Sequence, residues 1–262
     1  MQLQLDGKRA LVTGSSSGLG EETARVLAAE GASVVVHGRD EARTAAVAEA
    51  IRAAGGTAAT AVGDLGTDAG ADAVAAAALA DGPIDILVNN VGTYDMSLDW
   101  STATPEHWAA LYNTNVLSGV RMIQRLVPGM RERGWGRVIQ VSSVTGELPQ
   151  TSQPHYAAAN AARTNLAKSL ARELRHTGVT SNAIVAGGIL VPSVKKMLTD
   201  LGRRNGWGDT WDEIAANENT PFAANDVGRT GEPREYADLI TFLASPLANY
   251  ITGSALRIDG GW

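Results

Sequence analysis

The sequence predicts an α/β fold: a doubly wound, mostly parallel seven-stranded sheet with helices on both faces. Three observations predict it. Short β-branched runs alternate with longer, Ala-rich stretches along the 262 residues. The short runs, such as Val34-Val35-Val36, are apolar throughout, as strands buried on both faces must be. A glycine-rich turn joins the first strand to the first helix.

In order, strands are expected at Arg9 to Val12, Ser33 to His37, Thr57 to Val62, Ile84 to Val88, Arg137 to Val141, Thr180 to Ile184 and Ala255 to Ile258. Helices are expected between them at Gly20 to Glu30, Glu41 to Ala53, Ala69 to Ala80, Pro105 to Arg133, His155 to His176 and Glu232 to Leu243. Strand–helix–strand units pair their strands in parallel, because the helix carries the chain back across the sheet. The run Ala69 to Ala80 looks like low complexity, but alanine is the best helix former and Asp72 and Leu79 give it two faces. No Pro- or Ser-rich linker divides the chain, so residues 1–262 are expected to form one domain. The irregular stretch at about 190–229, with Trp207 and Trp211, follows the sixth strand. It is expected either to cover a ligand site or to be a surface insertion, and its tryptophans either close over a substrate or pack the excursion.

Composition excludes several classes of function. The net charge of −6 disfavours nucleic acid and acidic membranes, which need clustered Lys and Arg. Cysteine is absent, so there is no disulfide framework, thiolate nucleophile or Cys-ligated zinc. His37, His107 and His176 are too scattered to suggest a metal site. No targeting segment or apolar membrane span is visible, and a cytoplasmic protein is the default expectation.

The turn reads Thr13-Gly14-Ser15-Ser16-Ser17-Gly18-Leu19-Gly20. Glycines let the backbone bend tightly and approach a pyrophosphate, and the helix N-terminus adds free N–H groups and partial positive charge. In a strand–turn–helix setting this is a Rossmann-type dinucleotide cradle. Two other readings compete. A flexible linker does not fit between a buried strand and an amphipathic helix. The letters also satisfy G-x-S-x-G, with Ser16 as a hydrolase nucleophile, but that elbow normally follows a later strand.

The spacing T-G-x-x-x-G-x-G resembles the short-chain dehydrogenase/reductase family, and the resemblance runs along nearly the whole chain. Asp64-Leu65 looks like its adenine contact. Asn89-Asn90-Val91-Gly92 resembles its N-N-A-G segment, Asn115 its structural and proton-relay asparagine, and Ser142-Ser143 its catalytic serine segment. Tyr156 stands where its tyrosine does. Asn182 to Ile189, with Gly187 and Ile189, resembles the segment beside the nicotinamide, with Ala186 where Pro is usual. Asp259-Gly260-Gly261 matches the C-terminal D-G-G. The resemblance implies a hydride-transferring oxidoreductase, in a homotetramer or homodimer built on the two long helices, acting on a small-molecule carbonyl or alcohol.

NAD-binding members usually carry an acid at the end of the second strand. Here that position is Gly38, followed by Arg39. Glycine removes a carboxylate that would repel a 2′-phosphate, and Arg39 offers it a charge-assisted fork, with His37 able to add to it. NADP(H) is therefore expected rather than NAD(H). The alternative is a solvated Arg39 paired with Asp40 or Glu41.

In this family serine polarises the substrate oxygen and tyrosine gives or takes the proton. A lysine four residues later makes the tyrosine more acidic and holds the nicotinamide ribose. Ser143 and Tyr156 are in place, but the segment reads Tyr156-Ala157-Ala158-Ala159-Asn160. A unit charge about 4 Å from a tyrosinate contributes about 4 kcal/mol at an effective dielectric of ~20, roughly a thousandfold in ionisation. Asn160 is neutral, though it can hydrogen-bond a ribose hydroxyl or a water. Losing the charge hurts alcohol oxidation, which needs tyrosinate, more than carbonyl reduction, which needs the protonated form. The expectation is an NADP(H)-dependent carbonyl reductase using Ser143, Tyr156, Asn115 and Asn160; the rival is a catalytically silent nucleotide-binding or scaffold protein. Arg163 lies one turn past Asn160 and is read as a surface or interface residue rather than a substitute charge. Val144, Leu148, Gln153 and Tyr94 are expected to flank the substrate, whereas His155 either lines the cleft or packs the helix start.

Overall fold

The computed structural model describes residues 2–217, 220 and 225–262. Among them, seven strands form one sheet: β1 (Arg9–Val12), β2 (Ser33–Gly38), β3 (Thr57–Val62), β4 (Ile86–Asn89), β5 (Gly136–Ser143), β6 (Val179–Ala186) and β7 (Ala255–Ile258). The spatial order is β3-β2-β1-β4-β5-β6-β7, and every pairing is parallel. The expected sheet is present, and "mostly parallel" becomes wholly parallel.

Apolar runs make sense once both faces are counted, because successive side chains point to opposite sides of a strand. Val12, Val34, Val36, Ile86 and Val88 pack into one core with α1 (Gly18–Ala29), α2 (Glu41–Ala53) and α9 (Pro233–Ala244). Their neighbours Leu11, Val35 and Leu87 face the other core, against α3 (Asp68–Leu79) and α5 (Ser118–Glu132). Burying a side chain of this kind stabilises by roughly 1.5–3 kcal/mol, so a polar residue on either face would cost heavily.

Two expectations need correction. The single helix from Pro105 to Arg133 is three pieces: α4 (Pro105–Tyr112), a π-helical turn (Asn113–Leu117) and α5. A π turn adds a residue to the helical repeat, so it re-aims side chains without ending the helix. The stretch after β6 is also less irregular than expected. It contains α7 (Pro192–Arg204) and a short α8 (Trp211–Ala215). α6 (Pro154–Glu173) covers β5 and β6 as expected. Among the described residues no helix is long and apolar enough to cross a membrane.

Candidate active site

Strand order reverses between β1 and β4, and a doubly wound sheet opens a crevice beyond its strand ends at such a point. A cleft of about 770 Å³ lies there, lined by the loops after β1 to β6.

Its floor is the glycine turn. Gly14 and Gly18 sit at φ 67° and 62°, a left-handed conformation that side chains disfavour. A Cβ on Gly20 would lie 2.4 Å from the Gly14 carbonyl oxygen and 2.5 Å from Asn90 Nδ2, so only glycine fits. Asn90 braces the turn by donating from Nδ2 to the carbonyls of Thr13 (3.0 Å) and Gly14 (3.2 Å). Thr13 Oγ1 accepts from the Asn90 and Val91 amides. Ser17 stands at the start of α1 but makes no side-chain cap, so the first-turn amides of Gly18, Leu19 and Gly20 are left facing the cleft wall. These residues fit a pyrophosphate, as does Ser16 beside them.

At one end of the cleft lie Gly38, Arg39, Asp64 and Leu65. A Cβ on Gly38 would meet Thr44 Oγ1 at 2.4 Å and Ser16 Oγ at 2.8 Å, so the position excludes any side chain, acidic ones included. Arg39 is exposed and makes no ion pair with Asp40 or Glu41. The partner of Asp40 is Arg43, at 3.2 Å, a second cleft-lining arginine that sequence reasoning missed. Its position in the first turn of α2, four residues after Arg39, was the available signal. His37 is corrected. Its Nδ1 accepts from the Gly14 amide (2.9 Å), which leaves Nε2 to donate to the Gly63 carbonyl (3.2 Å). Burial lowers its pKa to about 4. A neutral ring with both nitrogens engaged holds the loop and has nothing to offer a phosphate.

At the other end Ser143, Val144, Gln153, Tyr156, Tyr94 and Asn160 converge, with Gly92, Gly187 and Ile189 beside them. β5 delivers Ser143 and the first turns of α6 deliver Tyr156 and Asn160. Ser143 Oγ accepts from the Thr145 amide (3.3 Å) and lies 3.1 Å from Thr145 Oγ1. The Tyr156 ring meets Tyr94 edge-on at 6.2 Å. Gln153 caps α6 in a left-handed conformation (φ 56°), and its Oε1 is buried without a partner among the described residues.

Other sequence-predicted residues lie away from the cleft wall. Asn115 is buried behind the wall, with Oδ1 accepting from the Thr93 amide (2.9 Å) and Nδ2 donating to the Thr93 carbonyl (2.8 Å). The π turn aims it there. Leu148 is 45% exposed and outside the cleft wall, because the chain turns outward after Val144. His155 packs on Trp108. Trp207 and Trp211 do not line the cleft; Trp211 lies under Lys195, and Val191, Val194 and Met197 of the same excursion face the cavity instead.

Asn160 and Arg163 both line the cleft, and Arg163 departs from its expected place. Asn160 is buried, and Nδ2 donates back to the Tyr156 carbonyl at 2.9 Å. Arg163 is not a surface residue: it is 5% exposed, lines the cleft, and donates from Nη2 to the Asn89 carbonyl at 2.6 Å. Helical spacing explains this. Seven residues from Tyr156 bring the turn back to within about 20° of it, whereas Asn160 is displaced by about 40°.

Residues 8–202 match the family model of the short chain dehydrogenases. The 3-oxoacyl-(acyl-carrier-protein) reductase of Vibrio harveyi is 38% identical over 262 residues, covering 99% of this chain and 98% of that protein. The L-sorbose reductase of Gluconobacter frateurii, solved with NADPH and L-sorbose, superposes with a TM-score of 0.93 at 33% identity, covering 100% and 98%. A gluconate 5-dehydrogenase from Burkholderia cenocepacia J2315, solved with NADP and tartrate, gives 0.84 at 32% identity, covering 99% and 96%.

Proposed function

The chain belongs to the short-chain dehydrogenase family, and we propose on that footing that it is an NADP(H)-dependent reductase of small-molecule carbonyls. The observation that carries this is the convergence of Ser143 and Tyr156 on the cleft whose far end holds Gly38 and the exposed Arg39. The similar sorbose reductase and gluconate dehydrogenase were solved with NADPH and NADP, which supports the same cofactor here.

In this reading the Gly14–Gly20 turn and the start of α1 hold the pyrophosphate, with Ser16 and Ser17 in its wall. Arg39 takes the 2′-phosphate, and Asp64 and Leu65 flank the adenine. Asn90 and Gly92 shape the middle of the cleft, Tyr156 and Asn160 meet the nicotinamide ribose, and Gly187 and Ile189 back the ring. When bound, the cofactor supplies the hydride.

The chain's own groups handle the oxygen and the proton. Contacts from Thr145 occupy the Ser143 lone pairs, so the Ser143 hydroxyl is directed to donate to the substrate oxygen. Tyr156 passes its proton to that oxygen as the carbonyl becomes an alcohol. Asn115 acts by fixing the Thr93 backbone at the cleft wall. Val144, Gln153 and Tyr94 flank the substrate, and the Val191–Met197 stretch covers it. Reduction is the favoured direction, since it starts from Tyr156 in its protonated form.

NADPH oxidation driven by ketoses and 3-oxoacyl thioesters tests this. Turnover lost in Tyr156→Phe with NADPH binding kept supports it. Tight NADPH binding without turnover on any carbonyl would leave a nucleotide-binding scaffold instead.

A further inference from the structure

We propose that Arg163 is the charge-supplying positioning residue of this site, placing behind Tyr156 the cation that residue 160 lacks. The inference rests on Tyr156 being the proton donor, and it deepens that reading by asking what stabilises the oxygen once its proton has left.

Burial and pairing argue first. Arg163 is 95% removed from solvent, and among the described residues no carboxylate pairs with it. One carbonyl, that of Asn89, accepts from Nη2, while Nε has no partner among the described residues. A buried cation with so little compensation is costly unless something charged answers it. Placement argues second. Nη1 lies 3.3 Å from where a Cβ on Gly92 would stand, and Asn115 Nδ2 lies 3.9 Å from the same point. The guanidinium therefore sits where the loop after β4, the π turn and α6 meet, in the wall of the same cleft that Tyr156 lines. Side chains of a helix lean toward its N-terminus, so an arginine seven residues on points back along the face that carries Tyr156.

Electrostatics agree. Burial pulls the Arg163 guanidinium down to about 10, still a cation at neutral pH, and its electrostatic interaction with Tyr156 opposes that pull. Asn160 meanwhile folds onto the Tyr156 carbonyl and brings no charge. In reduction the Tyr156 O–H bond breaks, the proton goes to the substrate oxygen, and the phenolate left behind faces Arg163 until solvent reprotonates it. In oxidation the same cation favours the tyrosinate that removes the alcohol proton.

The test begins with cofactor-free protein. Tyrosinate absorbance, taken as the difference between a protein and its Tyr156→Phe counterpart, reports Tyr156 ionisation directly. Arg163→Met is expected to weaken that ionisation about tenfold or more at a given pH, and to slow alcohol oxidation at neutral pH more than carbonyl reduction. Arg163→Lys should keep most of the effect, and adding Asn160→Lys to Arg163→Met should restore it. An unchanged tyrosinate titration in Arg163→Met overturns the proposal. If Arg163→Met does not fold, Asn160→Lys alone decides: a gain in oxidation below about tenfold means a cation is already present, whereas about a thousandfold means the site had none. Retained turnover in Tyr156→Phe would instead remove the proton donor, a failure of the functional reading that the titration does not share.

Discussion

Replacing Arg39 with alanine separates the two nicotinamide cofactors cleanly, because of what Arg39 does not do in the folded chain. It is exposed, directly after β2, and makes no ion pair among the described residues, so its removal breaks no salt bridge there. Gly38 beside it has no room for any side chain, so that position cannot substitute for the lost group. Two unit charges 4 Å apart interact by about 1 kcal/mol in bulk water and about 4 kcal/mol at an effective dielectric of ~20. An exposed arginine lies toward the first figure, and a charge-assisted hydrogen bond adds about 1.5–3 kcal/mol. A loss of about 2.5–4 kcal/mol follows, or roughly 70- to 900-fold in NADPH dissociation constant. NADH has no 2′-phosphate and should bind Arg39→Ala as it binds the parent. Arg43 already shares its charge with Asp40, so Arg43→Ala should weaken NADPH less. Calorimetric titration of both cofactors at two salt concentrations measures this, and the NADPH preference should shrink with salt. Parallel weakening of NADH, or an unchanged NADPH affinity, would refute the reasoning.

Three further outcomes are expected. Gly20→Ala should abolish NADPH binding while leaving a folded protein, since its Cβ would lie 2.4 Å from the Gly14 carbonyl oxygen and displace the turn; binding within a few-fold of the parent contradicts the cradle. His37 is held neutral in the fold, with its pKa at about 4 against 6.5 unfolded. Above pH 6.5 it costs nothing; as pH falls toward 4 the unfolded chain takes up a proton that the fold refuses, and about 3 kcal/mol of stability is lost. Urea denaturation of the parent should show that slope between pH 6.5 and 4, and His37→Gln should flatten it. Gln153 holds a buried, unpartnered Oε1 in the cleft wall, so Gln153→Leu should raise KM about tenfold for a carbonyl substrate bearing a hydroxyl and leave kcat nearly unchanged. An equal KM change on a substrate without hydroxyls would point to packing instead.

Much of this was legible in the residues. Three strands, β1, β3 and β7, fall where their β-branched runs begin and end, because apolar runs bounded by turn residues leave little choice. The glycine turn was readable since its glycines answer to backbone geometry: two left-handed positions and one contact closer than a methyl allows. What failed depended on tertiary direction. Leu148 and Val144 are four residues apart, yet a short 3-10 turn sends one outward and the other into the cleft. The π turn at Asn113–Leu117 has no period of its own to read, and it decides that Asn115 grips the Thr93 backbone. Arg163 was misread by charge: an arginine on a long helix suggested solvent, although its spacing of seven from Tyr156 already put it on the buried face.

The central claim is that this cleft moves a hydride from NADPH to a carbonyl carbon with Tyr156 supplying the proton. The measurement that addresses it most directly is turnover with NADPH carrying deuterium at both C4 positions, followed by mass analysis of the alcohol formed. The account predicts one deuterium on the former carbonyl carbon, a slowed rate against unlabelled NADPH, and no labelled product from Tyr156→Phe. Alcohol without deuterium, or equal labelling by the Tyr156→Phe protein, would contradict it.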